Sequence, residues 1–487
     1  MPAHLDTMAK TPFVLDTRPL SEATSAHAGV LATSRAFRSL GFPSLIDSHL
    51  KLYRRKRGFG EAQMIESVVL LQTLGGDCPE DINLLSGDQC LARGLGYQPP
   101  KVTAVRQFLE LFHAPELEAL RPPRQVQLSF IVPESDALKA LQRVQAEGVE
   151  RIASLCESRG AGQRIATIDQ DATIIESHKR AAFWHYQGGK GYQPMLAVWA
   201  EADLVVADQF RDGNVPAQQE PLTCCRMAFE ALPKSVTERY FRGDSACYEG
   251  ELLQWLSSDE REREPGGRIG FAISAVMSAE LAQVARAVKE KEWTTIETEK
   301  DGTKRQWAEL DFTPSLPYER KDSRPLRYVG LRILKAQGSL LADGSDREHF
   351  AVVTNLDWGG GRLLDWHREK AGTIEHVHDE LKNGLAAGHM PSQRFAVNAA
   401  WLKLSLLAYN IASAIKGLCL PPEERTARFK RYRLLLVHIP GRMNRNDCVM
   451  RLRLCASPQT IERIATVWQT FWLPTQASAT QPLARAG

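Results

Sequence analysis

Hydrophobic residues recur at helical spacing through the first third of the chain. In GEAQMIESVVLLQTLGG they fall at intervals of three and four, and Gly75 with Gly76 forms a suitable helix end. PEDINLLSGDQCLARGLG predicts a second helix, and Thr103 should cap a third, whose apolar stripe is Val105, Phe108, Leu109 and Phe112. DALKALQRVQAEGVERIASLCESRG extends the helical part to about residue 160. Helices joined by a Gly/Pro-rich turn fit either a DNA-reading helix-turn-helix or a plain helical hairpin.

After residue 160 the pattern changes to short β-rich runs. RIATIDQDATII, GYQPMLAVWA and DLVVADQF come first, followed by a helix over CCRMAFEAL and a fourth strand in SVTERYFRGDS. Strand-like segments continue to Trp358 in RIGFAISA, WTTIETEK, RQWAELDF, RYVGLRIL and HFAVVTNL. Helical patterning returns from Leu363, in GTIEHVHDELKNG and RFAVNAAWLKLSLLAYNIASAIKGL. This order predicts an α+β fold.

Length and composition are those of an ordinary globular protein. The 487 residues suggest about two to four structural units. A chain that is 43% hydrophobic and 24% charged is not collagen-like, a coiled coil or wholly disordered. The longest apolar runs fall short of the ~20 residues that cross a bilayer, and the first residues lack a signal-peptide pattern. We therefore expect a soluble, cytoplasmic chain without a membrane partner.

The charge is nearly balanced overall but uneven along the chain. There are 61 Lys/Arg and 58 Asp/Glu, a formal net charge of +3, yet residues 421–455 hold nine basic residues against three acidic ones. Such a local excess indicates contact with a polyanion. The nine cysteines show no CxxC pair and no zinc-ligand spacing, which predicts reduced thiols.

Candidate chemistry lies in four carboxylates. Asp169 and Asp171 are two apart in a strand, so they project from one face, and Asp244 follows the fourth strand-like run. Glu375 is expected in the first turns of a helix, with Lys382 seven residues on and therefore on the same side. Taken singly, these acids fit N-caps, turn residues or first-turn positions favoured by the helix dipole.

Taken together, the same acids fit a metal site. An acid on a first strand, an acid after a fourth strand and a Glu on a later helix can converge at one edge of a ribonuclease-H-like sheet. Three carboxylates there suit two Mg²⁺ ions about 3.5–4 Å apart, the arrangement that assists phosphoryl transfer. Oxygen ligands without His or Cys are what Mg²⁺ prefers, and Mn²⁺ is the expected substitute.

Five segments of the chain resemble a known family. TIDQDAT, GGKGYQPMLAVWAEADLVVADQFRDGN, RGDSACY, GTIEHVHDELKNG and RFAVNAAWLKLSLLAYNI are similar, in this order, to the DDE transposases of bacterial insertion sequences. More narrowly, they resemble the group 1 DDE domain, in the branch whose third catalytic segment carries a Tyr-x2-Arg-x3-Glu-x6-Lys signature. The similarity runs from the helical N-terminal region to the basic C-terminal segment.

The resemblance implies a ribonuclease-H-like catalytic core, a helical N-terminal region, and a β-rich insertion between the second Asp and the Glu. The implied activity is Mg²⁺-dependent cleavage and joining of DNA strands. The corresponding division of the chain is a mobile segment 1–26, a helical DNA-end-binding region 27–160, the first part of the core 161–267, the insertion 268–360, the Glu helix of the core 361–420, and a basic segment with a tail 421–487.

Residue by residue, the resemblance implies that Asp171, Asp244 and Glu375 are the catalytic, metal-binding acids. The signature Lys falls on Lys382. Asp171 is favoured as the first acid because its Asp-Ala-Thr sequence is the closer match, and Asp169 is the alternative.

The third segment departs from the signature at two positions. Counted back from the Glu, the signature Tyr and Arg fall on Arg368 and Ala371. Lys370 and Trp366 are nearby candidates to replace them, so the predicted phosphate contacts of this segment depend on them.

Basic side chains in several segments are predicted to contact DNA phosphates. They are Lys382, Lys370, Arg211, Arg428, Lys430, Arg431, Arg433, Arg442 and Arg445. Trp293 and Trp307 in the insertion are candidates for stacking on a flipped base, with plain packing in a sheet as the alternative. The glycine-rich run at 188–191 lacks the spacing of a phosphate-binding P-loop and predicts a hairpin turn.

The sequence therefore predicts a bacterial DNA transposase that cleaves and transfers strands at the ends of an insertion sequence. Its partners would be double-stranded DNA, as terminal inverted repeats and target, and a second copy in a homodimer on DNA. Two alternatives stay close to this prediction: a catalytically inactive, transposase-derived DNA-binding protein and a structure-specific ribonuclease-H-like nuclease. A glycoside hydrolase with a carboxylate pair is a third, against which the basic C-terminal segment argues.

Overall fold

A nine-stranded mixed sheet forms the centre of the fold. The computed structural model describes residues 22–53, 58–258, 267–314, 325–336, 345–446 and 449–472. The described residues contain fifteen β-strands, of which nine form this sheet and six form two small sheets. They are β1 Thr24–Ser25, β2 Ile165–Ala172, β3 Ile175–Glu176, β4 Phe183–Trp184, β5 Lys190–Tyr192, β6 Met195–Trp199, β7 Leu204–Gln209, β8 Glu238–Gly243, β9 Ile269–Ser274, β10 Thr294–Thr298, β11 Lys304–Leu310, β12 Arg327–Leu334, β13 Arg347–Thr354, β14 Gly441–Asn446 and β15 Val449–Leu454.

Fifteen α-helices lie in the same described ranges. They are α1 Leu31–Ser39, α2 Phe42–His49, α3 Glu61–Leu74, α4 Asn83–Ser86, α5 Gln89–Leu95, α6 Val102–Glu110, α7 Pro115–Glu118, α8 Asp136–Ser158, α9 Pro221–Glu230, α10 Gly250–Leu256, α11 Ala279–Ala287, α12 Gly360–Asp379, α13 Phe395–Cys419, α14 Phe429–Tyr432 and α15 Pro458–Thr470. The first 21 residues of the predicted mobile segment and the tail from residue 473 lie outside the described residues.

The strand order of the sheet is β10-β11-β12-β13-β9-β8-β2-β6-β7. β8 runs parallel to both β2 and β9, and the other neighbours are antiparallel. Parallel neighbours need a crossover connection, which α9 and α10 provide before and after β8. β6 is buried at every position and β7 at all but its last, as expected of strands covered on both faces.

The strands predicted between residues 268 and 360 are present, and they extend the central sheet. β9 pairs with β8, β13 joins the far side of β9, and β12, β11 and β10 follow as a meander. The outer edge of β9 would otherwise leave backbone N–H and C=O groups unpaired. The predicted boundary at residue 268 therefore falls inside one continuous sheet, and α11 in this region is a helix that the sequence pattern did not indicate.

Helix α13 runs through the core of the protein. Its residues from Phe395 to Lys416 are all buried, and it packs against α3 and α8. By length and composition it is the one helix of the described residues that could cross a membrane. Its apolar stretch lies wholly inside the protein, however, as in the core helix of a soluble protein, so no membrane partner is implied.

Local structure in the N-terminal part follows the predictions with two exceptions. α3 ends where predicted, at Gly75, whose φ of 97° is in the left-handed region that favours glycine. PEDINLLSGDQCLARGLG is not one helix but a 3₁₀ turn, α4 and α5, because the Asp88 carboxylate accepts the N–H of Leu91 and begins a new helix. Thr103 does not cap α6, which already begins at Val102.

Candidate active site

Two neighbouring parallel strands bring an acid to the same edge of the sheet. Asp171 is the next-to-last residue of β2, and Asp244 directly follows Gly243, the last residue of β8. Gln170 and Gly243 are partners in register, so the two acids leave the sheet next to each other. Asp244 is also the N-cap predicted as its simple role, since its carboxylate accepts the N–H of Ala246 at 3.0 Å.

A lysine of α12 faces this pair. The Nζ atom of Lys370 lies 3.5 Å from Oδ2 of Asp171, and the lysine is only 9% exposed. Burial opposes its charged form, but the neighbouring Asp171 and Asp244 outweigh this and raise the pKa of Lys370. The site therefore holds a protonated ammonium beside two carboxylates.

The electrostatic balance at Asp171 favours bound positive charge. Burial raises the pKa of Asp171, Lys370 opposes that rise, and Asp244 adds to it. A carboxylate with a raised pKa binds a proton more readily than usual, and a metal ion at the same place would be stabilised for the same electrostatic reason. The single ammonium of Lys370 leaves two negative groups incompletely balanced.

Asp169 has a different environment, although it projects from the same face of β2. It is fully buried, and Arg242 donates to both its oxygens, from Nε at 2.7 Å and from Nη2 at 2.9 Å. The hydroxyl of Thr373 on α12 donates to it as well. All of its charge is thus taken up by protein groups.

Arg242 joins the sheet to α12. Besides Asp169, it donates to the carbonyl oxygen of Trp366 at 2.6 Å and to Glu369 at 3.1 Å, and its guanidinium lies 5.2 Å from the centre of the Trp366 ring. The carbonyl of Gly243 contacts His367 Nε2 at 2.9 Å. These contacts fix the N-terminal part of α12 over the ends of β2 and β8.

Glu375 is not at the acid pair in this structure. α12 already begins at Gly360, so Glu375 lies near the C-terminal end of the helix and not in its first turns. At about 100° per residue it is roughly 140° around the helix from Lys370, and it is exposed. Within the described part of the chain its carboxylate has no hydrogen-bond or ion-pair partner, and no three His, Cys, Asp or Glu side chains are grouped to hold a metal.

Lys382 does not share the side of Glu375. A π-helical turn, Glu380–Gly384, follows α12, and its wider i→i+5 spacing rotates each residue less than an α-turn does. Lys382 Nζ consequently donates to Thr173 Oγ1 at 3.0 Å, two residues beyond Asp171. The seven-residue alignment of Glu375 with Lys382 that an ideal α-helix would give is therefore not maintained, and Lys382 instead contacts Thr173 near the end of β2.

A groove of about 1190 Å³ opens beside Lys382. Ala172 and Thr173 line it directly after Asp171, and Tyr186 lines it from the hairpin between β4 and β5. That hairpin confirms the turn predicted at residues 188–191. The groove walls are mostly polar, as suits a hydrogen-bonding ligand.

Two predicted phosphate contacts are occupied with structural roles. Arg211 is fully buried, and it donates to Gln209 Oε1 from its Nε at 2.8 Å, so it cannot reach DNA in this structure. Arg433 donates to the carbonyl oxygens of Thr73 and Gln72, which belong to the last turn of α3. Composition alone could not separate these arginines from surface ones.

The remaining basic residues of the C-terminal segment are more accessible. Arg428, Lys430, Arg431 and Arg445 are exposed. Arg428 pairs with Asp379 at 2.8 Å, and Arg442, which is half-buried, pairs with Glu22 at 2.7 Å. Such exposed pairs are weak and leave the cations free to exchange partners.

The two tryptophans of the insertion are packing groups. Trp293 is 7% exposed and lies beneath the Arg332 guanidinium, 4.5 Å from the ring centre. Trp307 lies against Gly360, where even a Cβ atom would come within 2.1 Å of its ring. Trp293 is buried and Trp307 half-buried, which favours the alternative of plain packing for both.

Sequence reasoning missed Arg242, Thr373 and His367, which hold α12 at this site. Arg242 carried a signal that could have been used: it lies two residues before Asp244 in the RGDSACY motif and pairs with Asp169 across parallel strands. The contacts of Thr373 with Asp169 and of His367 with Gly243 depend on the rotation of α12 about its axis, which the sequence pattern does not specify.

Comparisons with known proteins identify the family of this chain. Residues 21–471 match the family model described as Transposase DDE domain group 1. No protein with a curated description matches the chain in a sequence search. Among solved structures, the chain is similar to a piggyBac transposase in a synaptic complex with hairpin DNA, with a TM-score of 0.42, 8% identity, and coverage of 86% of this chain and 82% of that one. The family model spans nearly the whole chain, and the protein therefore belongs to the group 1 DDE transposases.

Proposed function

We propose that this transposase cleaves DNA strands at the ends of an insertion sequence and transfers them to target DNA in a Mg²⁺-dependent reaction. The observation that carries the proposal is the pairing of Asp171 with Asp244 at the ends of adjacent parallel strands, where Lys370 balances only part of their charge. Family membership implies a polynucleotidyl transferase that acts on DNA, and DDE transposases generally use divalent metal ions.

The strands β7-β6-β2-β8-β9 support a ribonuclease-H-like catalytic core. β2, β6 and β7 form an antiparallel meander, and β8 and β9 continue on the other side of β2 in parallel with it. The first acid lies on the first of these strands and the second acid directly after the fourth. We assign the core to residues 161–267 and 361–420, with 268–360 as the insertion, 27–160 as the DNA-end-binding region and 421–487 as a further DNA contact.

Asp171 is the first catalytic acid in this proposal, and Asp169 is a positioning residue. Both oxygens of Asp169 are engaged by Arg242, so binding a metal there would require breaking a buried bidentate ion pair. Oδ1 of Asp171 accepts the N–H of the next residue, Ala172, at 2.8 Å, and Oδ2 lies 3.5 Å from the lysine; the side chain remains 21% exposed.

The donor set at this edge fits a hard cation. Asp171 and Asp244 would hold the metal through carboxylate oxygens, the ligands that Mg²⁺ and Mn²⁺ prefer. Two bound ions would activate a water or 3′-hydroxyl and stabilise the departing 3′-oxygen. When metal ions balance the charge of Asp171, the Lys370 ammonium becomes available to bind a DNA phosphate oxygen.

Glu375 is the proposed third ligand on the family pattern, and it requires a change in α12. The helix passes directly into the π-turn that carries Lys382, and such turns are often functional sites. We propose that DNA and metal binding re-register the C-terminal half of α12, which turns Glu375 toward Asp171. The N-terminal half stays in place because Arg242 and His367 hold it.

Lys382 and the exposed cations of the C-terminal segment are the proposed phosphate contacts. Lys382 lies beside the acid pair through Thr173, and Arg428, Lys430, Arg431, Arg442 and Arg445 lie at the surface or near it. Because transposition must bring two element ends together, we propose a homodimer on double-stranded DNA, acting in a bacterial cytoplasm.

Cleavage of DNA carrying both native ends, with Mg²⁺, tests this proposal in the wild type and Glu375→Gln. Asp365→Asn is a matched control, since it removes another exposed acid from the same helix, one that pairs with Arg305 and not with Arg242. We expect Mg²⁺-dependent nicking that Glu375→Gln abolishes and Asp365→Asn retains, with DNA binding intact in all three. Nicking that survives Glu375→Gln would remove this residue from the catalytic set.

The exposed position of Glu375 favours one alternative, a transposase-derived protein that binds DNA without cutting it. In that case the acid pair would be a remnant, and the conformation observed here would be the only one. A wild type that binds the element ends but leaves them uncut with both Mg²⁺ and Mn²⁺ would establish this alternative. Nicking of ends without joining to target DNA would instead indicate a structure-specific nuclease.

A further inference from the structure

We propose that the small sheet β3-β5-β4 is a stacking platform for an unpaired DNA base at the cleaved end. This inference rests on the proposed function and adds a binding site for single-stranded DNA beside the acid pair. It places base stacking on Trp184 and Tyr186, at a different part of the fold from Trp293 and Trp307.

Two aromatic side chains are exposed at the tip of this sheet. Trp184 is 50% exposed and Tyr186 is 78% exposed. Side chains alternate along β4, so Phe183 points inward, where it is buried beneath the Arg121 guanidinium at 5.3 Å, and Trp184 points outward. Exposed aromatic rings are costly in water, and two of them only two residues apart offer the faces that base stacking requires.

The base of the platform is held firmly. Trp184 pairs with Lys190 and Phe183 with Gly191 in the β4–β5 ladder. The N–H of Gly213 donates to Gly191 at 3.1 Å, which anchors the hairpin to the segment after β7. Gly191 allows this close approach, since a Cβ atom there would lie 2.2 Å from the carbonyl oxygen of Ile175. The aromatic tip is therefore presented by a preorganised support.

The charge of the platform suits a nucleic acid strand. Residues 173–194 contain Lys179, Arg180 and Lys190 against one acid, Glu176. Lys190 Nζ lies 5.1 Å from the centre of the Trp184 ring, so a cation accompanies the stacking face. Aromatic faces with neighbouring cations are the common means of holding single strands without reading their sequence.

The groove extends from the end of β2 to Tyr186 of the platform. One wall is formed by Thr173, two residues after Asp171, and another by Tyr186. Lys382 lines the groove between β2 and the π-turn, and the acids on its walls are Asp77, Glu80 and Glu176, of which Glu80 is paired with Arg106. A strand freed at Asp171 and Asp244 and lying in this groove would have its bases within reach of Tyr186.

Binding of a labelled oligothymidylate tests the platform. The probe is a strand of about ten nucleotides with a central 2-aminopurine, compared with a blunt duplex, and the protein is the full chain. We expect the wild type to bind the strand and quench 2-aminopurine, and Trp184→Ala/Tyr186→Ala to bind it about tenfold more weakly without quenching. Affinity for the blunt duplex should stay within about twofold.

Two control variants separate stacking from other effects. Trp184→Phe/Tyr186→Phe keeps the rings and should restore quenching, and Trp472→Ala removes another exposed tryptophan, 68% exposed, and should change neither affinity. Unchanged strand binding in the double alanine variant, with duplex binding and cleavage intact, would overturn this inference alone. A wild type that binds neither strand nor duplex would overturn it together with the proposed function.

Discussion

Asp169 and Asp171 are two residues apart on one strand and face the same helix, yet their surroundings differ sharply. Asp169 is fully buried and receives two hydrogen bonds from Arg242 and one from Thr373. Asp171 is partly exposed and meets one ammonium, at 3.5 Å, which it shares electrostatically with Asp244. Protein groups satisfy the hydrogen-bonding capacity of Asp169, whereas that of Asp171 is only partly satisfied.

The difference separates a structural carboxylate from the one proposed to be catalytic. A buried bidentate pair with its remaining sites filled has no capacity for another ligand. A half-buried acid beside a second acid retains that capacity, and burial together with the neighbouring Asp244 raises the pKa of Asp171. Arg242 and Asp169 thus hold α12 in place, whereas Asp171 and Asp244 are the proposed metal ligands.

A second buried ion pair, like that of Arg242 and Asp169, is fully satisfied by protein groups. Lys403 and Asp208 are both fully buried and 3.0 Å apart, with Glu134 and Gln142 also at the ammonium. This group joins α13 to β7, and none of its members lines the groove described above. Burial of charge alone is therefore no sign of an active site in this protein; incomplete pairing is the more selective sign.

The largest predicted effect is on DNA cleavage by Asp171→Asn. Loss of a metal-binding carboxylate should slow strand nicking by at least about 10⁴-fold, equivalent to roughly 5.4 kcal/mol in the barrier. The measurement is single-turnover nicking of DNA with both element ends in Mg²⁺. Residual nicking within about tenfold of the wild type would mean that Asp171 is not a metal ligand, and the comparison with Asp169 would lose its meaning.

Part of the arrangement of Asp169, Asp171 and Asp244 could be predicted from the sequence, and part could not. Alternation along β2 correctly put both aspartates on one face, and the order of strands correctly put Asp244 at the same edge. The choice between Asp169 and Asp171 rested on a motif, because the partner of Asp169 comes from β8 and that pairing is a long-range contact. Strand register, which decides it, is set by the whole sheet.

The rotation of α12 about its axis is the second feature that could not be predicted from the sequence. Periodicity located the helix that carries Glu375, but it could not show that α12 begins at Gly360 or that a π-turn follows Asp379. The π-helical turn changes the position of Lys382 around the helix relative to Glu375, so ideal α-helical spacing does not give their relative orientation. Likewise, Arg211 and Arg433 looked like surface cations, and only tertiary packing shows that they fill interior positions.

The second prediction concerns stability and Asp169→Asn. This change leaves the buried Arg242 guanidinium without its anion, and breaking such a pair costs about 3–5 kcal/mol in the free energy of unfolding. Urea denaturation of the metal-free protein measures it, with Asp171→Asn as the matched control on the same strand. A loss below about 1 kcal/mol for Asp169→Asn would show that Glu369 and water can replace the pair.

The third prediction is that Lys370→Met strengthens metal binding. Lys370 supplies positive charge to Asp171 and Asp244, so it competes with a cation for the same two groups. At a pH where both carboxylates are ionised, its removal should tighten Mn²⁺ binding about tenfold, or roughly 1.4 kcal/mol. Calorimetric titration with Mn²⁺ gives the affinity. Lys382→Met is the control, since that ammonium bonds to Thr173. Weaker binding in Lys370→Met would contradict competition.

The smallest predicted effect is the stability of Asp171→Asn itself. The folded-state pKa of Asp171 is raised above the unfolded value of about 3.9, so its ionised form is less favourable in the folded state. This cost is absent below the unfolded pKa and appears as the pH rises through the folded pKa. Asp171→Asn should therefore be more stable than the wild type at pH 7, by less than about 1 kcal/mol, and the gain should shrink toward pH 5.

Urea denaturation with a chelator present, at both pH values, checks this sign. Lys370 keeps Asp244 as a partner in the variant, so no buried charge is left alone and the gain is not cancelled. A variant destabilised at pH 7 as strongly as Asp169→Asn would mean that Asp171 is a closed, structural acid like its neighbour. A gain at pH 7 would instead show that the fold retains an unfavourable negative charge at Asp171, as a site kept for a cation requires.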